Sequence, residues 1–140
     1  MFKIFNWDSK TKVASCAIKY KNQMFTSYAK CHPDDLDFES EKTGCCIAEY
    51  RAEIKCLQYI KNCEVKPAME ALNHVICGMR SSKFYNAKSY EARCIQKEYH
   101  RLQKQLTAIN NEIAALKKSV QSYIESKDEF YNKIRKAKTK

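Results

Sequence analysis

The chain has only two glycines and two prolines in 140 residues. Phosphate-cradling loops and dinucleotide-binding turns are built from clustered glycines, so neither can form here. The same scarcity, with Lys, Glu, Ala and Ile common, favours helix over a many-turned β fold. No apolar run approaches the roughly 20 residues needed to span a bilayer. The segment MFKIFNWDSK has no long apolar centre and no small-residue cleavage site, so the expectation is a soluble protein kept in a cytoplasm. No C-x-x-C pair occurs among the eight cysteines, at 16, 31, 45, 46, 56, 63, 77 and 94. In a reducing compartment most of them read as small buried hydrophobes rather than as disulfides.

What the chain does have is lopsided charge. Residues 1–78 carry 11 Lys and Arg against 10 Asp and Glu, whereas residues 79–140 carry 15 against 6. The second half is therefore the candidate surface for an anionic partner.

Alternation over residues 12–20 puts Ala14, Cys16, Ile18 and Tyr20 on one face of a strand. A second strand is expected over 24–31, with a turn at Lys21-Asn22-Gln23 in which Asn tolerates positive φ. Phe2–Trp7 is a candidate third strand. His32 precedes Pro33 and so leaves the helical region, ending the second strand. Asp34, Asp35, Asp37, Glu39 and Glu41 then read as an acidic loop before a helix opening at Thr43-Gly44, with Ile47, Tyr50, Ile54, Leu57 and Ile60 as its apolar stripe. Pro67 starts a second helical segment over 67–77, and Gly78 is its expected stop. From Ile95 the positions Tyr99, Leu102, Leu106, Ile109, Ile113, Leu116, Val120, Tyr123, Phe130 and Ile134 follow a 4,3 spacing, broken only at Lys127. That is an a/d seam on one long helix, which is expected to meet another helix, from a second copy of the chain. The alternative is a fold-back near Thr107–Glu112.

Three kinds of chemistry compete. Cys31-His32 with Cys45-Cys46 has the right atoms for zinc, but adjacent residues diverge on a strand or a helix, so no metal is expected. The aspartates lack EF-hand spacing, and no catalytic cysteine context appears, so no enzyme is expected. Anion binding is better supported. Arg80, Lys83, Lys88, Arg93, Lys97, Arg101 and Lys104 are interleaved with Phe84, Tyr85, Tyr90 and Tyr99, and Lys97, Arg101 and Lys104 share a helix face. Cations neutralise phosphate and rings stack on bases. The competing reading is a solvated basic flank beside the seam.

CHPDDLDF over 31–38, followed by G-x-x-IAE-x-RA over 44–52 and a long basic helix, resembles the first type of Thoeris anti-defence proteins, which are encoded by phages of Gram-positive bacteria. The resemblance covers roughly residues 12–60 by motif and 80–135 by architecture. It implies a non-enzymatic sponge in the cytoplasm of the infected host, holding a cyclic ADP-ribose isomer intact, in some members also cyclic di- or trinucleotides, and assembling from dimers to hexamers. It implies no cofactor. It carries Arg51 and the basic-aromatic run after Gly78 over as ligand-binding positions. His32 beside them either packs within the turn, the favoured reading, or stacks on or hydrogen-bonds the ligand.

The expected fold is α+β: an N-terminal antiparallel hairpin or small sheet packed on a helix, then a long C-terminal helix with the a/d seam. Residues 1–78 are expected to form the small α+β domain and 79–140 the basic oligomerisation region. The expected site is Arg51, Arg80, Lys83, Phe84, Tyr85, Arg93, Lys97, Arg101 and His32. The expected function is capture of a cyclic nucleotide immune signal without cleavage. The alternatives are a nucleic-acid-binding coiled coil and a protein-binding inhibitor of the anti-CRISPR kind.

Overall fold

In the computed structural model of the chain, residues 2–31, 37–83 and 85–138 are described, with the backbone alone described for 37–40 and 127–138. Strands β1 (Phe2–Asp8), β2 (Val13–Tyr20) and β3 (Gln23–Lys30) form an antiparallel sheet in the order β1-β2-β3. Helices α1 (Asp37–Ile60), α2 (Lys66–Arg80) and α3 (Tyr90–Lys138) follow, with a π-helical segment at Lys61–Val65. The fold is α+β. Two compact units divide the chain: Met1–Cys56 with Ile113–Lys140, and Leu57–Glu112.

The sheet follows from alternation. Trp7 pairs with Ala14 and Ala14 with Ala29; Lys3 pairs with Ile18 and Ile18 with Phe25. Partners in an antiparallel pair share a face, so Lys3, Phe5 and Trp7 lie on the same side as Ala14, Cys16 and Ile18. The first turn is tied by the Asp8 carboxylate, which accepts from the Lys10 and Thr11 N–H groups at 2.9 and 3.4 Å. In the second turn β2 ends at Tyr20 opposite Gln23, so the turn is Lys21-Asn22 alone. The positive φ falls on Lys21, at 54°, and not on Asn22.

α1 sits on this sheet through small residues. Gly44, Ala48, Ala52 and Cys56 recur every four residues, and all four are buried. They form a low ridge that lets the helix backbone approach β2. At Gly44 the approach is closest: a Cβ there would lie 2.7 Å from Cys31 Sγ and 3.0 Å from Ala14 Cβ. The large residues Tyr50 and Ile54, expected to carry the buried stripe, are only half-buried. α1 also starts at Asp37 and runs through Gly44, so Asp37, Glu39 and Glu41 belong to helix rather than to a loop. The loop residues Asp34 and Asp35 lie outside the described residues.

Pro67 shapes the next segment. It has no N–H and its ring crowds the carbonyl four residues back. The helix answers by widening to a π turn just before it: Lys66 N–H bonds Lys61 O, five residues back. Helical structure thus continues through to Pro67 at the start of α2. Gly78 does not stop α2, which ends at Arg80, where Ser81 N–H and Oγ both bond Cys77 O.

The seam of α3 is real, and the fold-back at 107–112 does not occur, since α3 is one helix of 49 residues. Ala92, Leu102, Ile109, Ile113 and Val120 are buried. The cover comes from the chain itself. In one unit Ile95 and Ala92 meet Ile76 and Met79 of α2 and Tyr85. In the other, the Tyr123 ring lies 6.2 Å from that of Tyr50 on α1. The seam therefore does not by itself call for a second copy. Its residues Phe130 and Ile134 lie where only the backbone is described.

Candidate functional site

The start of α3 is fixed by local chemistry. Asn86 Oδ1 accepts from Lys88 N–H at 2.9 Å, and Ser89 Oγ caps the helix by accepting from Ala92 N–H at 3.2 Å. With the register set, side chains advance by about 100° per residue. Ala92, Ile95, Tyr99 and Leu102 turn inward, and Arg93, Lys97, Arg101 and Lys104 fall on the opposite side, where all four are exposed. Tyr90 stands on the same outer face and is 75% exposed.

Two shallow concavities run along this face. Arg93, Lys97, His100 and Tyr90 line one; Lys97, Arg101, His100 and Lys104 line the other, and Cys94 borders both. Every lining residue comes from α3, so these are open strips between side chains of one helix and enclose nothing. Arg101 is held by Glu98 one turn back: Nε donates to both carboxylate oxygens at 3.0 Å, and Nη2 donates to Oε1. That hydrogen bonding keeps the Glu98 carboxyl below its usual range and raises Arg101 further. A phosphate arriving at Arg101 has to compete with Glu98. His100 Nδ1 lies 3.2 Å from Gln103 Oε1. Tyr90 bonds Cys94, which pushes its phenol up.

The expected residues divide between the two units. Arg80, Lys83, Tyr85, Arg93, Lys97 and Arg101 belong to Leu57–Glu112, and Arg51 belongs to the other unit. Arg51 Nη1 donates to Tyr28 O at 2.8 Å, and Lys55 Nζ donates to Thr26 O at 2.7 Å. Arg80 is exposed in the last turn of α2, where a cation suits the helix dipole. Lys83 is exposed in the connection to α3. Tyr85 packs among Ile76, Met79, Ala92 and Ile95 around a gap of about 10 Å³, too small for any ligand. It is a packing residue, and Tyr90 is the exposed ring beside the cations. Phe84 and His32 lie outside the described residues. Tyr90 was not among the expected site residues, although its i, i+3, i+7 spacing with Arg93 and Lys97 is the signal in the sequence that places it beside them.

The cysteines spread further than their burial preference suggested: Cys16 and Cys56 are buried, Cys31, Cys45 and Cys46 half-buried, and Cys63, Cys77 and Cys94 exposed, all as free thiols. Burial pushes the Cys16 and Cys45 thiols up, with Glu49 and Glu41 adding to it, so neither is an activated thiolate. Among the described residues no three His, Cys, Asp or Glu side chains stand together to hold a metal ion. Nor is any described helix long and apolar enough to cross a membrane.

No protein-family model, curated protein or solved structure matches the chain.

Proposed function

We propose that the protein binds a phosphate-bearing ligand on the outer face of α3, without chemical turnover. The observation that carries this is the placement of Arg93, Lys97, Arg101 and Lys104, all exposed, opposite a buried seam. They lie within about 17 Å at 1.5 Å per residue. Only two carboxylates, Glu91 and Glu98, stand among the seven Lys and Arg of residues 80–104. Guanidinium groups pair with phosphate bidentately, and the Tyr90 ring offers a surface for a base.

The narrower form of the proposal is a phage sponge for a cyclic ADP-ribose-type or cyclic oligonucleotide signal. It is supported by the CHPDDLDF and IAEYRA motifs. A sponge has to outcompete a sensor, and nanomolar binding corresponds to roughly −12 kcal/mol. A single open helix face buries too little of a small ligand for that. Capture therefore needs a second copy of the chain to close over α3, so homo-oligomerisation is part of the proposal. The openness of the strip favours a second reading, a strand of nucleic acid lying along it.

One experiment separates them. The purified protein is incubated with cyclic nucleotides and ADP-ribose isomers, filtered, heated, and the release is read by mass spectrometry. An intact nucleotide that appears only after heating supports the sponge. A cleaved nucleotide means an enzyme and overturns the proposal. No retained nucleotide, with DNA or RNA affinity falling steeply with salt, replaces it with the second reading. A stable complex with a host protein and no ligand would point to a protein-binding inhibitor.

A further inference from the structure

One member of the row of side chains on the outer face of α3 is not a fixed cation. Arg93, Lys97, His100 and Lys104 follow a 4,3,4 spacing, which sets all four on one line along the helix surface. All four are exposed. Arg101 lies to the side of that line and is held by Glu98. His100 therefore stands between Lys97 and Lys104, about 4.5 Å along the axis from the first and about 6 Å from the second at 1.5 Å per residue. It lines both concavities, as Lys97 and Cys94 also do. His100 was not among the expected site residues, because the run of Lys and Arg drew attention first.

We propose that His100 contacts the bound phosphate and makes binding on α3 proton-linked, its imidazolium completing the row of cations when the ligand arrives. The assignment rests on the reading of α3 as a phosphate-binding face. Imidazole is the side chain that gains its charge near neutral pH. A phosphate seated between Lys97 and Lys104 places negative charge beside the ring and favours the charged form. In that form both ring nitrogens donate. Nδ1 has Gln103 Oε1 at 3.2 Å, which leaves the other nitrogen for a phosphate oxygen. Besides the cations Arg93, Lys97, Arg101 and Lys104, the titratable groups lining the concavities with His100 are Tyr90, Cys94 and Glu98. All of them come from α3; α2 meets α3 on its inner side, at Ala92 and Ile95. Glu98 is engaged by Arg101, so the ligand supplies the charge that favours the imidazolium. Affinity then rises as pH falls through the imidazole range.

The test is a binding titration of the full chain at fixed salt, from about pH 8 down to about pH 5.5. Two probes are used, an oligothymidylate and cyclic di-adenosine monophosphate. The phosphodiesters of both stay ionised over that range, so a change in affinity reports the protein. Binding of the first alone points to a nucleic-acid strand as the source of the phosphate, and binding of the second alone to a small cyclic signal. The wild type is expected to bind about fivefold more tightly at the acid end, the effect of one added unit charge about 4 Å from a phosphate. His100→Gln should flatten the pH profile, and His100→Arg should bind tightly throughout. His74→Gln alters an exposed histidine of α2 and should keep the wild-type profile. Calorimetry in two buffers of different ionisation heat should show proton uptake on binding in the wild type and none in His100→Gln. Binding that is flat with pH in the wild type, or a profile that survives His100→Gln, overturns the role of His100 and leaves the cationic face standing. No binding of either probe at any pH overturns the reading of α3 as a phosphate-binding face, and the role of His100 with it.

Discussion

Arg51 on α1 donates from Nη1 to the main-chain carbonyl of Tyr28 on β3 at 2.8 Å, and Lys55, one turn further, donates to Thr26 O at 2.7 Å. The two cations close one edge of the sheet. Arg51→Ala should lower stability by about 1 kcal/mol, the low end for a charge-assisted bond because the site is exposed. It should leave ligand binding on α3 unchanged. Thermal denaturation and a binding titration on the same variant check both halves. Weakened binding with unchanged stability would return Arg51 to the ligand site.

The two glycines should respond in opposite directions to alanine. Gly44→Ala forces a methyl to 3.0 Å from Ala14 Cβ and 2.7 Å from Cys31 Sγ. The thiol can swing away but Ala14 is fixed in β2, so a loss of about 1–3 kcal/mol is expected. Gly78 has nothing within 4 Å of the added methyl and sits inside α2. Gly78→Ala should stabilise by about 0.5–1 kcal/mol. Chemical denaturation of both variants gives the comparison directly.

Stability should fall on the alkaline side. Hydrogen bonds that Lys3 donates to Glu49 and then to Glu53 raise it above its ordinary 10.5, and burial raises Cys16 and Cys45 above 9.0. All three groups bind their protons more tightly folded than unfolded. Such a contribution is complete below the unfolded pKa and is lost as pH rises above it. The melting temperature should therefore begin to drop past pH 9, through the two thiols, and drop further past 10.5, through Lys3. Lys3→Met should remove the second part of that drop and cost about 1 kcal/mol at neutral pH.

The outer face of α3 should behave as an electrostatic surface. Arg93→Glu, Lys97→Glu and Lys104→Glu should each weaken binding of a phosphate-bearing ligand while the melting temperature stays put, since all three side chains point away from the buried seam. If the ligand is a nucleic-acid strand, neutralising one cation should reduce the salt slope of log K by roughly 1. Glu98→Gln releases Arg101 from its ion pair and should strengthen binding. Tyr90→Ala should weaken binding of a nucleotide but not of inorganic phosphate.

Much of the architecture was written in periodicity. Alternation over residues 13–20 and the 4,3 spacing from Ile95 need no tertiary information, because period 2 and period 3.5 each bury one face of only one kind of element. The contact face of α1 was harder to see. The large residues Tyr50 and Ile54 drew attention, but the sheet receives Gly44, Ala48, Ala52 and Cys56. Hydrophobicity ranks residues by size, and a helix lying flat on a sheet selects for smallness. Tyr85 and Tyr90 are likewise indistinguishable by composition. Tyr85 falls in the connection that α2 and α3 close around, and Tyr90 falls just past the Ser89 cap on the outward side.

The sequence by itself determined the α+β class, the strands, the long terminal helix and the concentration of positive charge in the second half, since each follows from local spacing or simple counting. Only the tertiary structure decided what covers the α3 seam and where Arg51 spends its guanidinium. Those outcomes depend on residues far apart in the chain meeting in space: Tyr50 with Tyr123, and Arg51 with Tyr28. No period in the sequence encodes such a meeting.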